Sequence, residues 1–186
     1  MLLNKVNVLD KGFVALIDSS GNAKLLQDLQ DTYFKTKINI KLLELCNATL
    51  IIKCPLFAQL NISQFGFDIV STPSDEVEAY LPDISSVSAD TLEDRQRICN
   101  YISATTEALL LNHKGFSMDG ADNFTSQMLT PISVYNEIII SGNIKKWIAY
   151  LNQHNLPKPL ASYQMAVTQV LLTEWKNLEK LQKMLK

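Results

Sequence analysis

The fold of this chain is first indicated by the stretch Val6-Asn-Val-Leu-Asp-Lys-Gly-Phe-Val-Ala-Leu-Ile-Asp18. Residues 4–9 alternate, with Val6 and Val8 on one face, and residues 13–17 continue an alternating pattern. Asp10-Lys11-Gly12 between them is a turn signal, since glycine takes a positive φ without steric cost. We therefore predict a β-hairpin over residues 4–18, and Ser19-Ser20-Gly21-Asn22 predicts a second turn.

A further strand is predicted over Ala48–Cys54, which is rich in β-branched residues and is followed by Pro55. A short helix follows over Leu56–Phe65, starting at Pro55, because proline suits the first turn of a helix. Residues 66–90 contain two prolines and many serine and aspartate residues. That composition is typical of a long loop.

The remaining apolar segments favour helices. Thr91-Leu-Glu-Asp94 resembles a capping box with aspartate in the place of glutamate, and it predicts a helix to about His113, followed by a loop to Asn123. Pro131 lies inside the apolar segment Phe124–Ile140, for which we predict a helix with a kink or a restart. Periodicity predicts three more helices, over Ala23–Phe34, Ile144–Gln153 and Leu160–Lys186. The expected fold is α+β, with one domain over residues 1–186.

Composition excludes several classes of protein. Of the 186 residues 47% are hydrophobic and 19% are charged, so most of the chain is expected to fold. The formal charge of −2 argues against a general nucleic-acid binder, and no apolar run is long enough to span a membrane. Two distant histidines argue against a metal site, and three cysteines without CxxC spacing are expected to be buried thiols. We expect a cytoplasmic protein.

Four segments occur in an order and spacing that resemble one enzyme family. They are the hairpin of residues 6–18 with Gly21-Asn22, Leu50-Ile-Ile-Lys-Cys-Pro-Leu-Phe57, Met128-Leu-Thr-Pro-Ile-Ser-Val-Tyr135, and Gly142-Asn-Ile-Lys-Lys-Trp-Ile-Ala-Tyr-Leu-Asn152. Together they resemble the flavin-dependent thymidylate synthases over most of the chain. The resemblance implies that family's fold, an antiparallel sheet packed with helices, and a homotetramer with active sites between subunits.

The resemblance also implies a reaction. The family transfers a methylene group from methylenetetrahydrofolate to dUMP, and FAD carries the hydride from NADPH. The family's signature, Arg-His-Arg followed by seven residues and a serine, holds anionic substrate and cofactor through charge-assisted hydrogen bonds. In this chain Gln64-Phe65-Gly66 stands at the place of Arg-His-Arg, Ser74 keeps the serine, and Glu76 replaces a later arginine. Other basic positions of the family fall on Leu60, Gln127 and His154.

The candidate site residues come from this comparison. Glu44 and Asn143 occupy cofactor-binding positions, whereas Ser74, Gln127, Lys145 and His154 occupy substrate-binding positions; no catalytic residue and no metal ligand is assigned. Five of the six, all except Gln127, also have a plain structural alternative, which for Lys145 is a solvated helix face. Ser74 suits a turn, Glu44 suits a solvated surface, Asn143 suits a helix cap, and His154 suits the C-terminus of a helix.

Three hypotheses about function follow. The first is a diverged homologue that no longer methylates dUMP and acts as a non-catalytic binding or structural oligomer, in which FAD binding is lost. The second is a flavin enzyme acting on a pyrimidine nucleotide, with a site rebuilt from Lys53, Ser74, Asn143, Lys145 and His154. The third is a subunit that pairs with an intact synthase. No nucleic-acid or membrane partner is expected.

Overall fold

The structure, a computed structural model, describes residues 3–21, 43–72 and 77–175, together with residues 178 and 182. The described part contains five strands and five helices. In chain order they are β1 (Leu3–Val8), β2 (Gly12–Ser20), β3 (Asn47–Pro55), α1 (Leu56–Ser63), β4 (Asp68–Thr72), α2 (Leu92–Met118), α3 (Asn123–Gln127), β5 (Tyr135–Asn143), α4 (Ile144–Leu151) and α5 (Lys158–Glu174). A single 3₁₀ turn (Ile84–Ser86) precedes α2.

The strands form one antiparallel sheet in the order β1-β2-β3-β5-β4. The predicted hairpin is confirmed as β1 and β2, with Val6 opposite Val14. The predicted strand at Ala48–Cys54 is confirmed as β3, which pairs with β2 on one side and with β5 on the other. The α+β prediction with an antiparallel sheet is therefore confirmed.

One face of the sheet carries the hydrophobic core. Alternate residues of β3 and β5, such as Leu50, Ile52 and Ile140, are fully buried there. Helix α5 packs on β1 and β2, and α4 follows β5 directly, so that the Trp147 indole nitrogen of α4 donates to the Gly142 carbonyl at 3.0 Å. The predicted apolar face of this helix, including Leu151, is confirmed as buried.

The hairpin turn contains a glycine because there is no room for a side chain, not because its backbone takes a positive φ. Within the turn it is Leu9 that takes a positive φ, of +58°. Gly12 has no positive φ; a Cβ built on it would lie 2.1 Å from the hydroxyl oxygen of Tyr163 and 2.8 Å from the Lys53 carbonyl oxygen. The prediction of a positive φ at this glycine is therefore wrong; the position requires glycine because α5 and β3 approach the backbone too closely for any side chain.

The prediction of a kinked helix over Phe124–Ile140 is wrong. The five-residue helix α3 ends before Pro131, and residues 135–143 form β5 in the middle of the sheet. Ile138, Ile139 and Ile140 place isoleucine on both faces of β5, so the sequence shows an apolar run without clear alternation, which does not distinguish a strand from a helix. The Gly142-Asn143 break is the end of β5, where Asn143 becomes the N-cap of α4.

Four smaller predictions are also corrected. The predicted loop at 66–90 contains β4, an edge strand whose exposed residues mask its pattern. Helix α2 extends to Met118, through the segment predicted as a loop after His113. Pro55 is the last residue of β3 and the N-cap of α1 rather than a first-turn residue, and α5 ends at Glu174, because Trp175 leaves the helical backbone. The helix predicted at 23–34 lies outside the described residues.

Cysteines 46, 54 and 99 are free and buried, as expected. None of the helices that the structure describes is long and apolar enough to cross a bilayer.

Candidate functional site

Three of the six candidate residues meet at one corner of the sheet, where β3 begins and β5 ends. Asn47 pairs with Asn143 across the two strands, and the amide nitrogen of Ile144 donates to the Cys46 carbonyl at 2.8 Å. This connection places the first turn of α4 beside residues 43–46. Glu44, Asn143 and Lys145 therefore lie on adjacent segments, as their assignment to one site requires.

Contacts within the fold already engage these three residues. Lys145 Nζ donates to Glu44 Oε1 at 3.1 Å, and both side chains are about half exposed. The Asn143 side-chain oxygen accepts the Lys146 amide at 3.0 Å and so caps α4. The structural alternative for Asn143, a helix cap, is thus observed, and the charge of Lys145 is balanced by Glu44.

The segment at the place of the family's Arg-His-Arg signature forms a turn after α1. Gln64 is the C-cap of α1 and is exposed, and the Phe65 ring packs edge-on against Tyr150 at a centroid distance of 5.7 Å. Gly66 has a φ of +67°, and its carbonyl oxygen accepts a hydrogen bond from Lys146 Nζ. This turn therefore packs against α4 through apolar and backbone contacts.

The other candidate residues lie elsewhere. His154 is exposed beyond the C-terminal end of α4. Helix α4, which is about 12 Å long, lies between His154 and Asn143. Gln127 is the last residue of α3, which packs against α2. Ser74 lies outside the described residues.

A second polar cluster was missed by sequence reasoning. Lys53 Nζ donates to Glu78 Oε2 at 2.6 Å, and Lys11 Nζ donates to Glu78 Oε1 at 3.1 Å. We call Lys11, Lys53 and Glu78 the two-lysine clamp. The hydrogen bonds from Lys53 and then Lys11 are the main reason that the pKa of Glu78 lies below its usual value. A lysine inside an otherwise apolar strand was the signal for Lys53, but nothing in the sequence identified Glu78 as its partner.

Tyrosine side chains support the strand ends beside the clamp. The Tyr135 hydroxyl donates to Asp10 Oδ1 at 2.5 Å, and the Tyr163 hydroxyl donates to the Lys53 carbonyl oxygen at 3.0 Å. Burial is the largest cause that raises the pKa of both phenols. They therefore remain neutral hydrogen-bond donors at neutral pH.

A cavity of about 320 Å³ lies next to the clamp. Its walls come from the β1–β2 turn, the 3₁₀ turn and the start of α5, and its charged residues are Asp10, Asp83 and Lys158. Lys158 Nζ donates to the Ser85 hydroxyl at 2.5 Å, so this lysine holds the 3₁₀ turn against α5. The lining of the cavity thus contains two carboxylates and one ammonium group, and all three already form hydrogen bonds within the fold.

Nucleophilic and metal chemistry find little support in the described residues. Burial raises the pKa of the Cys54 thiol to about 12 and also raises the pKa of Cys46, so both stay protonated at neutral pH. Within residues 3–21, 43–72 and 77–175, no group of three His, Cys, Asp or Glu side chains is arranged to hold a metal ion.

No protein-family model matches the sequence, and no curated protein matches it. Among solved structures, the chain is similar to the UMP/dUMP methylase PolB from Streptomyces cacaoi, whose crystal structure contains bound 5-Br UMP. The two chains are 14% identical, the match covers 93% of this chain and 92% of PolB, and the TM-score is 0.70. At this identity the likeness establishes the fold alone. The chain has an α+β fold like that of the flavin-dependent thymidylate synthases.

Proposed function

We propose that this protein is a homologue of the flavin-dependent thymidylate synthases that does not methylate dUMP by the family's mechanism, and that it acts as a non-catalytic binding or structural oligomer. The observation that carries the proposal is the turn after α1. Where the family's signature places cations, this turn offers an exposed amide, a phenyl ring packed on Tyr150 and a glycine. A phosphate clamp needs charge-assisted hydrogen bonds, each of which contributes about 1.5–3 kcal/mol.

Lysines near this turn do not compensate for the missing arginines. Lys145 is paired with Glu44, and Lys146 donates to the Gly66 carbonyl oxygen. An anionic ligand at this corner would have to compete with Glu44 and with the Gly66 carbonyl oxygen for these two ammonium groups, which costs part of its binding free energy. This cost supports loss of the nucleotide clamp at this corner.

FAD fits the candidate cofactor residues poorly. Its pyrophosphate requires cations or free backbone N–H groups. Glu44 brings a negative charge, and the Asn143 side-chain oxygen is already used to cap α4. We therefore infer that these two residues no longer hold FAD, and no step of a reaction is assigned to a flavin.

Helix α2 supports the oligomeric part of the proposal. Its main neighbours are α3 and the 3₁₀ turn, and four of its large apolar side chains, Leu92, Tyr101, Leu111 and Met118, are more than two-thirds exposed. Leu111 and Met118 are seven residues apart and therefore lie on the same face of the helix, where they can contact another subunit. We expect Leu111→Glu to lower the oligomeric state measured by sedimentation, with Glu107→Gln as a neighbouring control.

The second candidate function is a pyrimidine-nucleotide enzyme with a rebuilt site, which the likeness to a UMP/dUMP methylase favours. The residues proposed for the rebuilt site do not lie close together in space within one chain. Lys53 lies six positions along β3 from Asn47, the partner of Asn143. At the rise of a β-strand this distance is about 20 Å. A rebuilt site from these residues would therefore have to combine two subunits.

The spectrum and the ligand response of purified protein test the proposal. We expect no flavin absorption in freshly purified protein, and no change in melting temperature with FAD, because a ligand of the native state must stabilise it. Flavin absorption together with dUMP-stimulated NADPH oxidation would instead establish the second candidate. Co-purification of an intact synthase, detected by mass, would identify the chain as a partner subunit.

Restoring the family's arginines gives a further test. We expect the triple variant Gln64→Arg, Gly66→Arg, Glu76→Arg to form no dTMP, because the cofactor positions differ as well. An intact flavin-dependent synthase serves as the positive control in the same assay. Measurable dTMP from the triple variant would overturn the proposal.

A further inference from the structure

We propose that Lys11 and Lys53 of the two-lysine clamp form a binding site for a phosphate group, which the Glu78 carboxylate occupies when no ligand is bound. The three residues come from different parts of the chain. Lys11 belongs to the β1–β2 turn, Lys53 to β3, and Glu78 to the segment that pairs with the start of β5. The fold alone therefore assembles the site.

The geometry matches that of a phosphate clamp. Each lysine Nζ contacts a different oxygen of the same carboxylate, at 2.6 and 3.1 Å. A phosphate group presents at least two oxygens to such a pair of ammonium groups and accepts the same charge-assisted hydrogen bonds. Glu78 thus stands where the oxygens of a phosphate would lie.

Charged groups of both signs surround the clamp. Lys5 lies 4.0 Å from the centroid of the Phe13 ring, and Phe13 is the cross-strand partner of Lys53. The Lys53 ammonium lies 5.9 Å from the centroid of the Tyr135 ring, and Lys11 belongs to the adjacent β1–β2 turn. The nearby carboxylates are Asp10, which accepts the Tyr135 hydroxyl, and Glu137, which is the cross-strand partner of Lys53.

Glu78 can leave the site without unfolding its segment. Its carbonyl oxygen accepts the Tyr135 amide at 2.8 Å, and the Tyr80 amide donates to the Ser133 carbonyl oxygen at 2.8 Å. These two hydrogen bonds hold the backbone on both sides of Ala79. The Glu78 side chain is 25% exposed, so solvent and a dissolved anion reach it. A ligand would therefore exchange with the side chain alone.

This site is separate from the turn that carries the proposed function. The Gln64-Phe65-Gly66 turn packs on α4, whereas the clamp lies at the β1–β2 turn and the start of β5. Phosphate binding at the clamp and dUMP methylation can therefore each be present or absent without the other.

Calorimetric titration with inorganic phosphate tests the proposal. We expect Glu78→Gln to bind phosphate about tenfold more tightly than the native protein, because one competing charge is removed. Glu44→Gln is the matched control, since it removes the carboxylate of a lysine pair elsewhere on the surface. Adding Lys53→Met to Glu78→Gln should abolish the gain.

Two further titrations identify the source of the phosphate group. UMP that binds more tightly than inorganic phosphate, while uridine does not bind, supports a nucleotide; equal affinity for UMP and inorganic phosphate supports free phosphate. The proposal is overturned if Glu78→Gln gains no affinity, if Glu44→Gln gains as much, or if the gain survives Lys53→Met.

The native protein provides an independent measurement if Glu78→Gln fails to fold. Phosphate should shift the carbon-13 resonance of the Glu78 side-chain carboxyl, because the ligand displaces it from both lysines. A resonance that stays constant throughout the phosphate titration would overturn the proposal.

Discussion

Adding one methyl group at Gly12 tests how closely helix α5 and strand β3 hold the hairpin turn. The new Cβ would lie 2.1 Å from the Tyr163 hydroxyl oxygen and 2.8 Å from the carbonyl oxygens of Lys53 and Val8. The hydroxyl can move only by giving up its hydrogen bond to the Lys53 carbonyl. The two carbonyl oxygens belong to β1 and β3 and can move only with their strands.

The expected loss of stability follows from these contacts. Overpacking costs about 1–3 kcal/mol, and the lost hydrogen bond of Tyr163 adds about 1 kcal/mol. We expect Gly12→Ala to lower the free energy of unfolding by about 3 kcal/mol. For a chain of this size each kcal/mol changes the melting temperature by about 2–4 °C, so the expected decrease is about 6–12 °C.

Urea unfolding of a double-mutant cycle tests the mechanism. Tyr163→Phe removes the hydroxyl and should cost about 1 kcal/mol by itself. Since Gly12→Ala then meets no hydroxyl, the double variant should lose about 1 kcal/mol less than the sum of the single losses. Additivity within about 0.5 kcal/mol would refute the assignment of the clash to this hydroxyl.

Gly115 provides the control. It lies inside α2, and no heavy atom is within 4 Å of a Cβ built on it. Gly115→Ala should therefore stabilise the protein by about 0.5–1 kcal/mol, since alanine favours the helix. If both substitutions destabilise the protein, the loss at Gly12 cannot be attributed to the close contacts of its backbone.

Three other perturbations have defined outcomes. Glu78→Gln should lower the free energy of unfolding by about 1 kcal/mol at neutral pH. Pairing lowers the pKa of Glu78 from 4.5, so its stabilisation is present above pH 4.5 and is lost as the pH falls through the folded-state pKa. The difference between variant and native protein in urea unfolding should therefore vanish in acid. In thermal unfolding, Asn143→Ala should lower the stability by about 1 kcal/mol through loss of the α4 cap, whereas Asn143→Asp should keep the cap and the native stability. Ile140→Ala in the buried centre of β5 should cost about 2–5 kcal/mol by calorimetry, against less than about 0.5 kcal/mol for Val70→Ala, which is 63% exposed on β4.

The candidate site shows where sequence reasoning reached its limit. Glu44, Asn143 and Lys145 were assigned together from a family resemblance, and the structure places them on adjacent segments. Lys11 and Glu78 were not assigned, because they are 67 positions apart and meet only when the segment between β4 and the 3₁₀ turn crosses the end of the hairpin. Ion pairs between distant segments have no local pattern.

Local pattern alone determined the hairpin, strand β3, helix α4 and the general α+β class, because alternation, β-branching and periodicity act over a few neighbouring residues. Tertiary structure decided the identity of β5. Its apolar run suits either a helix or a buried strand, and pairing with β3 on one side and β4 on the other makes it a strand. Tertiary contacts also decided which face of each strand is buried. They explain why Gly12 has no room for a side chain and why Lys53 meets Glu78. Those outcomes depend on contacts between distant segments, which no local stretch of sequence contains.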